Sequence, residues 1–143
     1  MPLALQIKCD ILRLNKENGM NIEILKGKTL TKCYVTKSKE EMFFECDDGS
    51  IYELYHIGDC CEHVDIEDVC GDLSDLIGSP LVMVEEVCHG NNITPECCEH
   101  KEHEESYTWT FYKFGTIKGY VTVRWYGESN GYYSESVDFD QVI

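Results

Sequence analysis

The sequence predicts a mainly β domain of the α+β class: one curved antiparallel sheet, a short helix and a Cys/His-rich loop. Three observations lead there. Residues 106–114 (SYTWTFYKF) and 119–126 (GYVTVRWY) alternate aromatic with polar side chains, the period of a half-buried strand. Asp48-Gly49 and Asn130-Gly131 are turn dipeptides set between such runs. The chain has 143 residues, enough for one domain with its own core.

Residues 1–19 read as an N-terminal extension ended by a break at 15–19 (NKENG), and residues 20–143 as a single domain. Residues 29–37 (TLTKCYVTK) read as a strand. Residues 41–46 and 50–56 form a hairpin across the Asp47-Asp48-Gly49 turn, where glycine supplies positive φ. Residues 62–69 (EHVDIEDV) alternate as a strand does. Leu73 and Leu76, three apart in 71–77, fit one or two helical turns stopped by Gly78 and Pro80. Residues 81–87 (LVMVEEV) read as a buried strand, and 88–105 as a long polar insertion without apolar periodicity. Asn130-Gly131 then leads into 132–139, which completes a three-stranded meander with 106–114 and 119–126.

Charge is concentrated. The chain carries a net charge of −15. Residues 59–105 hold 14 acids and the single base Lys101, whereas the flanking stretches are each at −1. Such a balance argues against direct nucleic-acid binding, which needs a basic footprint. It suits a face that meets a basic partner surface, with carboxylates standing where phosphates would. Asp65, Glu67, Asp68, Asp72 and Asp75 are the expected contact residues. No apolar run is long enough for a membrane helix, and the opening residues are too polar for a secretory signal. The expected compartment is therefore a reducing cytoplasm. There, cysteines bind metal or stay free more often than they pair.

Six of the nine cysteines fall in residues 60–98. HIGDCCEH places His56 four residues before the vicinal Cys60 and Cys61. Residues 88–103 (CHGNNITPECCEHKEH) gather Cys88, His89, Cys97, Cys98, His100 and His103. Thiolate and imidazole together favour tetrahedral Zn²⁺, and a metal would order a polar loop that lacks a core. The expected ligands are drawn from His56, Cys60, Cys61, Cys88, Cys97, Cys98, His100 and His103. Cys9, Cys33 and Cys46 read as small core fillers. No HExxH, deaminase, nucleophile-elbow or phosphate-loop pattern is present, and GESNG at 127–131 reads as a hairpin turn. No catalytic residue is assigned.

The runs YHIGDCCEHVDIEDVCGDLSDLIGSPLVMVEE (residues 55–86) and SYTWTFYKFGTIKGYVTVRWYGESNGYYSESVDF (residues 106–139) resemble a small domain family of phages and mobile elements whose function is unassigned. The resemblance implies a β-rich, phage-linked domain and carries over no catalytic residue. In size, charge and origin the chain is also similar to type II anti-CRISPR proteins, by class and not by motif. The expected function is an anti-defence inhibitor whose acidic, zinc-stabilised surface binds a nuclease with a basic channel, Cas9 above all, and blocks nucleic-acid loading. It would act as a monomer or small homo-oligomer. Two alternatives stand beside it. One is a nucleotide-binding sponge that stacks its ligand on an aromatic face shared by Arg124 and Tyr126. The other is a zinc hydrolase built on His56, a cysteine and a glutamate.

Overall fold

The structure is a computed structural model that describes residues 20–58, 60–90, 95 and 105–143. Its strands are β1 (Leu30–Val35), β2 (Met42–Cys46), β3 (Ile51–Tyr55), β4 (His63–Cys70), β5 (Met83–His89), β6 (Ser106–Thr116), β7 (Gly119–Ser129) and β8 (Asp138–Gln141). They form two four-stranded antiparallel sheets, ordered β1-β2-β3-β8 and β4-β7-β6-β5, where the sequence suggested one. Alternation tells which side of a strand is buried, but not which strand lies beside it.

The first sheet grows from local signals. Met42, Phe44 and Cys46 on β2 and Tyr52 and Leu54 on β3 are buried, and the residues between them are only part-buried. The turn that joins them puts Gly49 at φ 88°. Asp48 accepts bonds from the Ser50 backbone N–H and the Lys28 ammonium. In the second sheet the β6–β7 hairpin pairs eleven residues a side, from Ser106↔Ser129 to Thr116↔Gly119. Tyr112, Phe114, Val121, Val123 and Trp125 face inward. Both sheets bury these faces against one shared core. The Phe44 and Phe114 rings, 5.2 Å apart, are a direct contact across it. The expected short helical turn is a 3₁₀ helix at Leu73–Leu76, and its Leu76 closes the core.

The expected meander does not form. After Asn130-Gly131 the chain leaves the second sheet and β8 pairs with β3 of the first, Leu54 opposite Phe139. Close packing redirects it. The Glu135 carboxylate, 5% exposed, accepts hydrogen bonds from the Thr108 hydroxyl at 2.7 Å and from the Ser129 hydroxyl. Gly127 makes room for this return: a Cβ there would stand 2.6 Å from the Glu135 carbonyl oxygen and 3.0 Å from its Cβ. Cys88 and His89 also differ from expectation. They end β5, opposite Thr110 and Trp109, rather than opening a loop.

Gly127→Ala is expected to destabilise the fold by about 1–3 kcal/mol, since the backbone across from it has no room to shift. A lowered urea midpoint with an unchanged slope is the expected result.

Candidate functional site

Two crossovers connect the sheets. Residues 56–62 leave β3 for β4, and residues 130–137 return from β7 to β8. They meet at one imidazole. His56 Nδ1 lies 2.7 Å from the Ser136 carbonyl oxygen, and His56 Nε2 lies 3.1 Å from Glu62 Oε1. The His56 and Glu62 side chains are 7% and 1% exposed, so water competes little for either bond. The other carboxylate oxygen, Glu62 Oε2, accepts the Cys60 N–H at 3.2 Å. One residue beyond His56, the Ile57 N–H donates to Asp138 Oδ2 at 3.0 Å.

Hydrogen-bond chemistry fixes part of the protonation pattern. A carbonyl oxygen can only accept, so His56 Nδ1 carries a proton. Nε2 faces a carboxylate, and one proton lies between them. Neither ring nitrogen points to an open position. In a catalytic imidazole the carboxylate holds one nitrogen and leaves the other for substrate. Here Ser136 takes that second place, so the His56–Glu62 pair acts as a clamp between crossovers.

The expected ligand residues are placed unevenly. His56, Cys60 and Cys61 share the first crossover, but Cys60 and Cys61 are joined to each other in a vicinal disulfide. Cys88 is buried on β5, on the core-facing side. Cys97, Cys98, His100 and His103 lie outside the described residues, as does Cys9. Among the described residues no group of three or more His, Cys, Asp or Glu side chains is arranged to hold a metal ion. Cys46 is a buried core filler, and burial pushes the part-buried Cys33 thiol up to about 12.

The expected contact residues line one border of the molecule. β4 is an edge strand, and the 3₁₀ turn follows it. Asp65 bonds His63 at 3.1 Å, Glu67 pairs with Arg124 at 3.1 Å, and Asp68 stands exposed. Exposed Asp72 caps the turn: its carboxylate accepts the Ser74 hydroxyl at 2.7 Å and the Ser74 N–H at 2.9 Å, and these bonds, the hydroxyl's first, lower its carboxyl below the ordinary value. On the outer face of the second sheet, Tyr107, Trp109 and Tyr126 form a separate buried cluster, with the Arg124 guanidinium 5.8 Å from the Trp109 ring centre. The aromatic face is therefore closed over by packing at these three rings. Glu62, Ser129, Glu135 and Ser136 are the residues that organise the crossovers, and spacing alone did not single out their roles. Their one sequence signal is that they all fall within the two runs that carry the family resemblance.

Residues 23–139 match a family described as a domain of unknown function, DUF7448. No curated protein and no solved structure matches the chain. Among the described residues no helix is long and apolar enough to cross a membrane.

A second group of carboxylates gathers on the first sheet, where Glu53 lies opposite Phe43 on β2 and Asp140 on β8. Partial burial first, then a hydrogen bond with Glu41 and the nearby charges of Glu41 and Asp140, raise the Glu53 carboxyl from 4.5 to about 7. Tyr55 donates its hydroxyl proton to Asp140 beside it. A carboxyl with a raised folded-state value holds its proton more tightly when folded. Its contribution to stability is therefore present at low pH and is lost as pH rises through about 7. Melting temperature is expected to fall over this interval, and Glu53→Gln should flatten the fall. An unchanged slope in the variant would remove Glu53 as its source.

Proposed function

The chain belongs to this family of unassigned function, DUF7448, and from that premise we propose that it is a non-catalytic acidic binding protein, an inhibitor of a nuclease with a basic nucleic-acid channel. The observation that carries the reading is the β4 border. Five carboxylates within eleven residues, Asp65, Glu67, Asp68, Asp72 and Asp75, sit on an edge strand and the turn that follows it. Edge carboxylates discourage strand pairing, which keeps the border free for a partner of opposite charge. The Asp72 carboxyl, held low by its bonds to Ser74, stays ionised across the physiological range. The absence of an open ring nitrogen at His56 favours binding over chemistry at the crossover. A phage or mobile element is the source that best suits such an inhibitor, and Cas9 is the first partner to test.

Zinc enters this proposal through residues 97–103. His56 has both ring nitrogens engaged and the Cys60 and Cys61 sulfurs are bonded together, so the remaining expected ligands are Cys97, Cys98, His100 and His103, with Cys88. Zinc there would stabilise the acidic segment and take no part in a reaction.

Binding to Cas9 and to other basic nucleases is expected to weaken steeply with added salt. Asp68→Lys with Asp72→Asn should weaken it by about tenfold or more. Asp68 is exposed, so the charge reversal itself should leave melting little changed. Elemental analysis of the same preparations tests the zinc assignment: zinc kept in His56→Ala and lost in Cys97→Ser supports it. Salt-independent binding, or no binding to any basic nuclease, would overturn the function. Zinc lost with His56 alone would overturn the ligand set.

A further inference from the structure

We propose that Cys60 and Cys61 are a reversible thiol–disulfide centre whose state is read by the His56–Glu62 clamp. A disulfide normally stabilises a protein by closing a loop of chain, and the effect grows with the number of residues enclosed. Cys60 and Cys61 are adjacent and enclose none, so their bond is not a staple. Both residues are exposed, within reach of a reagent in solution. Cys46 and Cys88 are buried and Cys33 is part-buried with its thiol pushed up by burial, which shields those thiols from exchange. Among the described cysteines Cys70 alone is both free and exposed, and it lies at the far end of β4.

The pair is wired to the crossovers. The Cys60 N–H binds Glu62 Oε2, Glu62 Oε1 binds His56 Nε2, and His56 Nδ1 donates to Ser136. Opening the ring formed by two adjacent cysteines releases the peptide unit between them to other conformations. The Cys60 N–H is the next atom along that backbone, so its bond to Glu62 is the first to feel the change. Reduction thus loosens the carboxylate that holds His56, and oxidation restores it.

The exchange needs a thiol reductant, here a small dithiol. One of its thiolates attacks a cysteine sulfur, the S–S bond breaks, and the departing sulfur takes the electron pair and a proton. The second thiol of the reductant then displaces the mixed disulfide. Two electrons and two protons have moved to Cys60 and Cys61, and the reductant leaves as its cyclic disulfide.

The test uses the full chain equilibrated in oxidised and reduced dithiothreitol mixtures, quenched with acid, alkylated and mapped by peptide mass. Cys60 and Cys61 should gain their two labels together at one midpoint. The ring ¹⁵N signals of His56 should shift at that same midpoint. In Cys60→Ser the His56 signals should no longer respond to the redox mixture. If that variant does not fold, the wild-type labelling and His56 series decide alone. Cys60 and Cys61 that remain dithiols across the whole range, or that pair with Cys70, would overturn the centre. Labels that appear while the His56 signals stay fixed would overturn its coupling to the clamp.

Discussion

The imidazole of His56, bound at one nitrogen by Glu62 and at the other by the Ser136 carbonyl, is the contact on which the crossover arrangement depends. Each sheet is held by its own ladder and by the common core. The passage of the chain between sheets has no such ladder, and polar groups at both crossovers leave water together. A buried pair of this kind adds little net stability, but removing one partner strands the other at a loss of about 3–5 kcal/mol. The clamp therefore specifies geometry more than it adds energy. It fixes where β4 starts relative to where β8 starts.

A second buried carboxylate works alongside it. Glu135 reaches into the end of the β6–β7 hairpin, takes the Thr108 and Ser129 hydroxyls, and leaves the next residue, Ser136, with its carbonyl toward His56. Gly127 allows the approach because it has no side chain to obstruct it. The segment 127–136 is thus a connected device: a close approach at Gly127, an anchor at Glu135 and an acceptor at Ser136. Its partner segment, 56–62, supplies the imidazole, the carboxylate and the cysteine pair. The two stretches are distant in sequence and meet at the junction of the sheets.

This explains what the sequence could and could not disclose. The hairpins β2–β3 and β6–β7 were legible because a turn dipeptide or a short loop sits between alternating runs, and both signals are local. The third strand of the expected meander was not. Phe139 inward with Asp138 and Asp140 on the other face satisfies alternation equally well beside β7 or beside β3. The choice is made by Gly127 and Glu135, whose effect needs contacts across the fold. Cys88 and His89 looked like loop residues because their neighbours in sequence are polar, yet pairing with β6 extends β5 through both. At the crossover, the spacing of His56, Cys60 and Cys61 suggested metal ligands, where the structure has a hydrogen-bonded imidazole and a disulfide. The partners Glu62 and Ser136 carry no signature of their own: one is an acid in an acidic chain, and the other contributes only a backbone oxygen.

Charge is the remaining organising feature. The β4 border and the Glu53 face both gather carboxylates, and on the second partial burial first, then the neighbouring Glu41 and Asp140 carboxylates, raise one carboxyl to about 7. The clamp joins the two crossovers that pass between the sheets carrying these carboxylates. Nuclear magnetic resonance of the His56 ring tests the clamp most directly. The clamp requires a proton on Nδ1 that exchanges slowly with water and correlates through the hydrogen bond with the Ser136 carbonyl carbon. An Nδ1 without a proton, or one that exchanges as fast as an exposed imidazole, would contradict the clamp and the crossover arrangement built on it.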